Sequence, residues 1–502
     1  MGRDEGQPHA RDCDAFARVL DACQGGREDT IRGMRTPGHF RRRHSRALRG
    51  HVLAALMCCL CQAAMAQGAT SPSRLPMLAD LLSIPSRLSV GDAAGGETVS
   101  LRGAQLASRV YSLDVEGAQR RLESFEYNRD AARGALLPRV DVRNAYGYGV
   151  LDSVKPAASL RRSEFSTTVR QVLFDEPARN EWGRQKVLVG SAELQLSGAI
   201  SQAAFEGGNA FLTALQARVV IELSGDYESM LGELLRYIGE RAKAGGTSQA
   251  DSDRVRARVA NVRSGLADAQ STLTSALRDL QRVTGIEPGG LNFEEGISLP
   301  AVQGRGAALD LAKAANPELR AARAEIDAAE VERKVQRARF LPRLELELTH
   351  ARNVNLGGNE SFTRDSRAMV VLTIPILNGG SDLAQMRASA SRRDELDAKA
   401  RNVERKLALE IETAYANLEA TSARFDSVRE ELEANRKVAD AFQAQMTNAS
   451  RQLLDVLDAY QRLYQSRLDL AQVLVVEARN QLRLAHLTGS LVDGLAATSP
   501  KP

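Results

Sequence analysis

The 502-residue chain has 67 Lys and Arg residues against 63 Asp and Glu residues, and all five cysteines lie within residues 1–66. That segment also holds 11 of the basic and 7 of the acidic residues, so residues 67–502 carry 56 of each. This balance excludes a basic nucleic-acid-binding protein, which needs an excess of Lys and Arg to displace counterions from phosphates. The absence of cysteine after residue 66 excludes thiol catalysis, disulfides and cysteine-ligated zinc from that part.

A secretory signal peptide is predicted at residues 34–66. The segment has no acidic residue, several arginines, an apolar run from Val52 to Cys61 and a small-x-small sequence that ends at Ala66, a combination typical of such signals. The run is shorter than the roughly 20 residues of a transmembrane helix. No cysteine in it follows a small residue, so a lipid anchor is not expected. Residues 1–33 are either an extension or sequence upstream of the true start.

An internal duplication is predicted from one offset of 204 residues. The offset aligns Leu137-Pro138-Arg139 with Leu341-Pro342-Arg343, Asp251 with Asp455, and Thr284-Gly285 with Thr488-Gly489. A fixed offset over such a distance indicates two copies of one unit. The predicted organisation is a loop segment at 67–100, a first repeat at 101–285, a linker at 286–305, a second repeat at 306–489 and a tail at 490–502.

Two proline-free tracts, 178–287 and 376–499, are rich in strong helix formers. Turn-like sequences at 244–248 and 447–450 interrupt them, so each tract predicts a helical hairpin. The predicted outgoing limbs are 176–241 and 381–446, and the returning limbs are 250–284 and 452–488. Shorter helices are predicted at 101–133 and 306–337. One short helix and one returning limb, placed end to end, match the length of an outgoing limb.

Strands are predicted after Pro138 and Pro342, where apolar and charged residues alternate from Arg139 and from Arg343. Such alternation gives a strand one apolar and one charged face. Second strands are predicted at 165–174 and 368–377. Four strands are too few for a transmembrane barrel, which needs about eight, so several chains must share one barrel. A soluble β-sandwich and a set of independent coiled coils are the alternatives.

Several segments resemble the TolC family of outer-membrane efflux and export channels. They are the two Leu-Pro-Arg strand openings, Ala314-Ala315-Asn316-Pro317-Glu318-Leu319, Ile376-Leu377-Asn378-Gly379-Gly380 and Leu453-Leu454-Asp455-Val456-Leu457-Asp458-Ala459. The resemblance covers nearly all of residues 100–490. It implies a mainly α fold with a small transmembrane β part, in which internally duplicated long helical hairpins form a trimeric α-barrel capped by a shared twelve-stranded β-barrel.

The resemblance also implies a gate at the hairpin tips. The constriction carboxylates of the family match Asp455 and Asp458, and its hairpin latch matches Arg451 and Asp251. The three-residue spacing of the two carboxylates puts them on one helical face, and rings of such charges favour cations. The alternative is ordinary surface acids that pair with Arg451 and Arg462. Relatives usually have Gly where Ala449 stands and often an aromatic residue where Met446 stands.

No phosphate-binding P-loop motif occurs, and His350 and His486 are the only histidines after residue 66. We therefore expect no enzyme, no cofactor and no metal site, and we interpret Trp182 as an interface anchor or packing residue. The resemblance implies a homotrimer in the outer membrane, in contact with outer-membrane lipid. It also implies a periplasmic adaptor (membrane fusion) protein and an inner-membrane ABC transporter or other pump. The expected function is the channel-tunnel of type I protein secretion. The alternatives are the outer component of a multidrug or metal efflux pump, and a soluble periplasmic coiled-coil scaffold.

Overall fold

The structure, a computed structural model, describes residues 97–151, 158–292, 304–355, 361–447 and 452–491. The predicted signal peptide and N-terminal extension lie outside these ranges, as do most of the predicted loop segment, linker and C-terminal tail. In chain order the elements of the described part are β1 (Glu97–Ser100), α1 (Leu101–Tyr111), α2 (Leu113–Gly134), β2 (Arg139–Leu151), β3 (Ala158–Phe174), α3 (Glu176–Lys243), α4 (Gln249–Thr284), β4 (Pro288–Asn292), α5 (Arg305–Ala315), α6 (Pro317–Ala338), β5 (Arg343–Val354), β6 (Phe362–Thr373), α7 (Ser381–Thr447) and α8 (Leu453–Leu487).

The helices repeat at the offset found in the sequence. α1, α2 and α4 begin 204 residues before α5, α6 and α8, and the ends of α3 and α7 are separated by the same 204 residues. α3 and α7 contain 68 and 67 residues, and at about 1.5 Å per residue each is roughly 100 Å long. The prediction of a mainly helical chain is confirmed. None of the described helices combines the length and apolarity needed to cross a membrane.

The prediction of one continuous helix over 101–133 and one over 306–337 is wrong, because each range is divided into two helices. α5 ends at Ala315. The next residue, Asn316, has an extended backbone, and its side chain accepts a 3.0 Å hydrogen bond from the Leu319 amide. Pro317 has no amide hydrogen, so it fits the first turn of a new helix and cannot continue the previous one. The break between α1 and α2 falls at Ser112, which also has an extended backbone.

The turn of the first hairpin depends on Gly245 and Ser248. Gly245 has φ = 74°, in the left-handed region that glycine adopts without steric cost. The Ser248 hydroxyl accepts a 3.2 Å hydrogen bond from the Ala250 amide and so caps the start of α4. The equivalent turn of the second hairpin falls on residues 448–451, which are outside the described residues.

Both hairpins end in a close contact with a short helix. Gly285 and Gly489 have φ values of 71° and 75°. A Cβ atom at Gly285 would lie 2.5 Å from the Tyr111 ring, and one at Gly489 would lie 2.7 Å from the Ala315 carbonyl oxygen. Tyr111 and Ala315 are themselves 204 residues apart, so the two halves repeat this packing as well as their helices.

The main sheet is antiparallel, with the strand order β2-β3-β5-β6, so β2 and β6 are its edges. Its strands differ from the predicted ones. β2 continues from Arg139 to Leu151, and β6 covers Phe362–Thr373 instead of 368–377. Antiparallel pairing satisfies backbone groups whatever the side chain, so the strands extend through polar and glycine positions that break the alternation. β1 and β4, which were not predicted, form a separate parallel pair.

α3 organises the helical core of the described residues. It packs against α1, α2, α4, α6 and α8. Phe211, Leu215 and Leu223 of α3 are fully buried in one hydrophobic cluster with Leu474 and Leu482 of α8. Burial of each such side chain stabilises the fold by about 1.5–3 kcal/mol. The two halves of the chain therefore share one core.

Candidate channel wall and gate

The four-stranded sheet has one apolar and one charged face. Cross-strand partners share a face. The apolar face carries Val140, Val142, Leu344, Leu346, Val370 and Leu372, and the charged face carries Asp141, Arg170, Glu345, Glu347, Asp365 and Arg367. Val370 and Leu372 are 63% and 59% exposed, an arrangement that is unfavourable in water and favourable against hydrocarbon.

Ion pairs join neighbouring strands across the charged face. The Arg170 guanidinium on β3 lies 3.5 Å from the carboxylate of Asp141 on β2 and 3.7 Å from that of Glu347 on β5. These side chains are partly exposed, so each pair contributes at most about 1 kcal/mol. What they provide is a fixed, charged surface that water can solvate, which suits the wall of a wet channel.

The two strand-opening motifs make different contacts. In Pro138-Arg139, the arginine pairs with Asp141 on its own strand at 3.0 Å. In Pro342-Arg343, the arginine pairs with Glu345 at 2.7 Å and also reaches the helical part of the chain. The two motifs have the same sequence, so the sequence did not show that, within the described part of the chain, only the second arginine links the sheet to the helices.

Asp175 is the residue that Arg343 reaches, and sequence reasoning missed it. Its side chain is only 8% exposed, lies 3.1 Å from the Arg343 guanidinium and accepts a 3.0 Å hydrogen bond from the Ala178 amide at the start of α3. One carboxylate thus caps the longest helix and ties it to the sheet. The signal was present, since Asp175 directly precedes Glu176 and Pro177, a typical helix start.

The two candidate gate carboxylates lie in the first turns of α8. Val456 and Leu457 beside them are buried, whereas Asp458 is exposed and Asp455 is half-buried. Asp458 pairs with Arg462 at 3.3 Å, as the alternative interpretation of these residues expected. The pair is well exposed, so it leaves much of the local negative potential in place. The gate assignment of both residues stays a prediction.

The candidate latch is only partly within the described residues. Arg451 lies outside them. Asp251 lies in the first turn of α4, where it accepts a 2.9 Å hydrogen bond from the Thr247 hydroxyl and pairs with Arg254 at 3.4 Å. These contacts orient the carboxylate at the hairpin tip. The Arg451–Asp251 link stays a prediction.

Tyrosines connect the two hairpins, and sequence reasoning did not identify them. The rings of Tyr227 on α3 and Tyr464 on α8 stack with centroids 4.6 Å apart. The Tyr227 hydroxyl donates to Gln461 at 3.0 Å, and the Tyr464 hydroxyl lies 2.9 Å from the Ser224 hydroxyl. Burial raises the pKa of Tyr227. The contacts join residues more than 230 positions apart, and nothing in the local sequence marks them.

A further link between the hairpins lies nearer the tips. The Tyr237 hydroxyl donates to the Met446 carbonyl oxygen at 3.3 Å, and Arg241 donates to the same hydroxyl at 3.3 Å. An aromatic residue on α3 therefore contacts the position where relatives often have an aromatic residue of their own. The contact uses the backbone of residue 446, so it does not depend on that side chain.

His486 and Trp182 both have packing contacts. The His486 ring stacks on Phe205 with centroids 5.1 Å apart, and its Nδ1 lies 2.9 Å from the Ser201 hydroxyl. Burial lowers the pKa of His486. The Lys186 ammonium lies 3.5 Å from the centroid of the Trp182 ring, just beyond the sheet. Within the described ranges, no group of three His, Cys, Asp or Glu side chains is arranged to hold a metal ion.

Known proteins are similar to this chain in sequence. Residues 308–490 match the family described as outer membrane efflux protein. The alkaline protease secretion protein AprF of Pseudomonas aeruginosa is 26% identical over 378 residues, which cover 70% of this chain and 76% of AprF. The outer membrane protein TolC of Salmonella enteritidis is 21% identical over 434 residues, which cover 80% of this chain and 88% of that protein. The chain is similar to the TolC family over most of its length.

Solved structures share the fold of this chain. One is a structure of CusC, whose description concerns folding and transmembrane channel formation. Its TM-score is 0.68 at 15% identity, and the alignment covers 81% of this chain and 96% of the CusC chain. The outer-membrane channel OprN has a TM-score of 0.66 at 18% identity, with 84% and 97% covered. The protein is an outer-membrane protein, as its relative TolC is, and the family that residues 308–490 match is one of efflux proteins and not of enzymes.

Proposed function

We propose that this TolC-like protein is the channel-tunnel of a type I protein secretion system, which passively conducts cargo from a periplasm-spanning pump to the exterior. The observation that carries the channel part of the proposal is the pair of open edges, β2 and β6, in a sheet with one apolar and one charged face. Open edges are not tolerated in hydrocarbon, so β6 of one copy pairs with β2 of the next. Three copies close one barrel of twelve strands around a charged, water-filled lumen.

The helices support the same assembly. α2 contacts α3, α3 contacts α6 and α6 contacts α7, which puts α2 and α7 at opposite ends of this series. Both ends carry exposed apolar side chains: Leu113 and Tyr127 on α2 are 80% and 73% exposed, and Leu409 on α7 is 64% exposed. Packing of α7 against α2 of the next copy covers them and closes the helical tunnel.

The names of the relatives support a role in export. They point to two classes of cargo, which are secreted proteins and the small molecules or ions of efflux. AprF is named as a secretion protein for alkaline protease, which favours a type I system with an ABC transporter. BepC of Brucella suis, 22% identical over 399 residues, is named as an efflux protein, which keeps the multidrug or metal efflux pump as the second candidate. In either case the hairpin tips, including residues 244–248, are where a periplasmic adaptor protein docks.

The test of the proposed function uses a deletion strain and the purified protein. We expect the deletion to abolish export of one or more extracellular proteins, with drug and metal sensitivity unchanged, and the cloned gene to restore export. Raised sensitivity with normal export would favour the efflux candidate. The purified protein should migrate as a trimer on unheated gels and should conduct ions in planar bilayers. A dissolved monomer without conductance would instead support the periplasmic scaffold.

The latch makes a separate prediction. Arg451→Ser should raise the single-channel conductance several-fold, because loss of the proposed Arg451–Asp251 link lets the hairpin tips separate. Asp251→Asn should raise it to a similar level, and the double variant should add little, because both changes remove one interaction. The control is Arg256→Ser, which removes the exposed Arg256–Asp253 pair next to the same tip. Unchanged conductance in Arg451→Ser would count against the latch.

A further inference from the structure

The acidic residues of the main sheet all lie on one face. Its four strands contain five acidic residues, and the register places every one of them on the charged face: Asp141, Glu164, Glu345, Glu347 and Asp365. The apolar face has none. It does carry three arginines, one on each of β3, β5 and β6: Arg161, Arg352 and Arg364. We call these three residues the basic rim.

The basic rim has no counter-charge within the described part of the chain. Arg352 and Arg364 are direct cross-strand partners, an arrangement of like charges that is destabilising unless an anion lies between them. All three side chains are exposed, and none forms an ion pair with a described acidic residue. By contrast, Arg170 and Arg343 on the charged face each pair with carboxylates.

Aromatic rings orient the arginines of the basic rim. The guanidinium groups of Arg352 and Arg364 lie 5.0 Å and 5.8 Å from the centroid of the Phe362 ring, and that of Arg161 lies 5.9 Å from the Tyr148 ring. A guanidinium held against a ring keeps its N–H groups available for bidentate bonds to a phosphate. Two of the three arginines line a groove of about 690 Å³. Its wall includes Tyr146, Phe165, His350, Arg352, Val354 and Arg364.

The basic rim lies at one end of the strands. Arg343 begins β5 next to the helices, and Arg352 is nine residues further on. At about 3.4 Å per residue and a strand tilt of roughly 35–45°, this step rises about 22–25 Å across a membrane. The apolar band of an outer-membrane barrel is about 25 Å tall. On the proposed function, the guanidinium groups therefore lie where hydrocarbon gives way to head groups on the outer side, and their long side chains can reach the head groups.

We propose that the basic rim binds the phosphate groups of a phosphorylated lipid in the outer leaflet. A lipid fits better than a free anion, because the same sheet face continues beyond the groove towards the helices, where the exposed side chains of Leu348 and Val370 can contact acyl chains. The opposite end of the same face carries Val140, Leu344 and Leu372 and no arginine, which limits the site to one leaflet. The inference rests on the proposed trimeric barrel, since that assembly turns this face towards lipid.

The test measures lipid retention by the full-length trimer. Protein reconstituted in phosphatidylcholine vesicles with lipid A is extracted, washed and examined by native mass spectrometry for bound lipid. The variant Arg161→Gln/Arg352→Gln/Arg364→Gln should bind lipid A roughly tenfold more weakly or worse, since it loses the charge-assisted bonds. The matched control, Arg143→Gln/Arg162→Gln/Arg367→Gln, removes the same charge from the opposite face and should bind like the wild type.

Two further arms decide the source of the phosphate and separate this inference from the proposed function. Dephosphorylated lipid A should be lost in washing, and excess inorganic phosphate should displace little lipid A. Complete displacement by inorganic phosphate would mean a simple anion site and would overturn the lipid proposal, as would equal retention by the rim variant and the control. Conductance is recorded for all three proteins. Conducting trimers with no lipid preference refute only the basic rim, whereas failure of every protein to conduct refutes the channel.

Discussion

Replacement of Gly207 with valine should lower the free energy of unfolding by about 3 kcal/mol or more. A Cβ atom at Gly207 would lie 2.4 Å from the Ser108 hydroxyl and 2.6 Å from the Ala104 carbonyl oxygen. Ser108 is fully buried and donates a 2.7 Å hydrogen bond to the Ala203 carbonyl oxygen. The backbone of α1 would have to move away from α3, which breaks that bond and opens the packing around it.

The measurement is thermal unfolding of the purified protein, together with the amount of heat-resistant trimer in outer-membrane fractions. Gly225→Val is the matched control, because Gly225 lies in the same helix and no atom beyond the neighbouring backbone of that helix lies within 4 Å of its Cβ position. Valine is a better helix former than glycine, so the control should be as stable as the wild type or slightly more stable. Equal melting temperatures for the two variants would contradict the packing argument.

The long helices were predictable, and their breaks were partly so. The limits of α3 and α7 follow from the proline-free tracts and from the turn-like sequences that divide them, because helix propensity summed over many residues is a strong signal. The break at Asn316 was also readable, since an asparagine before a proline is both a helix stop and a helix start. The break at Ser112 is less marked in the sequence, because no proline follows it, and the Ser112 side chain makes no cap bond.

The strand ends and the contacts between hairpins were not predictable from local sequence. Alternation identifies the half of each strand next to the helices, but beyond Arg143 the polar and glycine residues of β2 are held by pairing with β3. The Tyr227–Tyr464 stack and the Arg343–Asp175 pair join positions far apart in the chain. Such contacts depend on which helix faces which, and that information is absent from any window of residues.

Simultaneous replacement of Asp455 and Asp458 with asparagine should weaken block of the channel by a trivalent cation roughly tenfold or more. In the proposed trimer the double variant removes six carboxylates from the narrowest part. At an effective dielectric constant of about 20 and a separation of roughly 8 Å, the attraction between one pair of unit charges is about 2 kcal/mol. A tenfold change in the affinity of the blocking cation requires only about 1.4 kcal/mol. Asparagine keeps the size of the side chain, so conductance without the blocker should change much less than block.

The control for charge is Asp268→Asn/Asp279→Asn, which removes the same number of carboxylates from exposed positions on α4, away from the hairpin tip. Block in this variant should stay within a factor of about two of the wild type, because screening limits exposed charges beyond about 10 Å. Titration of hexaamminecobalt(III) in single-channel recordings measures block in both variants. Equal loss of block in the two would show that total charge, and not the two proposed rings, attracts the cation.

The Asp458–Arg462 pair allows a test of the opposite sign. Arg462 lies 3.3 Å from Asp458 and offsets part of its charge, so Arg462→Gln should strengthen block by the same cation, roughly threefold for an exposed pair worth up to about 1 kcal/mol. A structural role for Asp458 as a mere surface acid predicts no change, because the pair would then lie far from the path of the ion. General loosening of the hairpin tips would weaken block in both Arg462→Gln and the double asparagine variant. Stronger block in the first and weaker block in the second can therefore occur together only if the carboxylates line the conduction path.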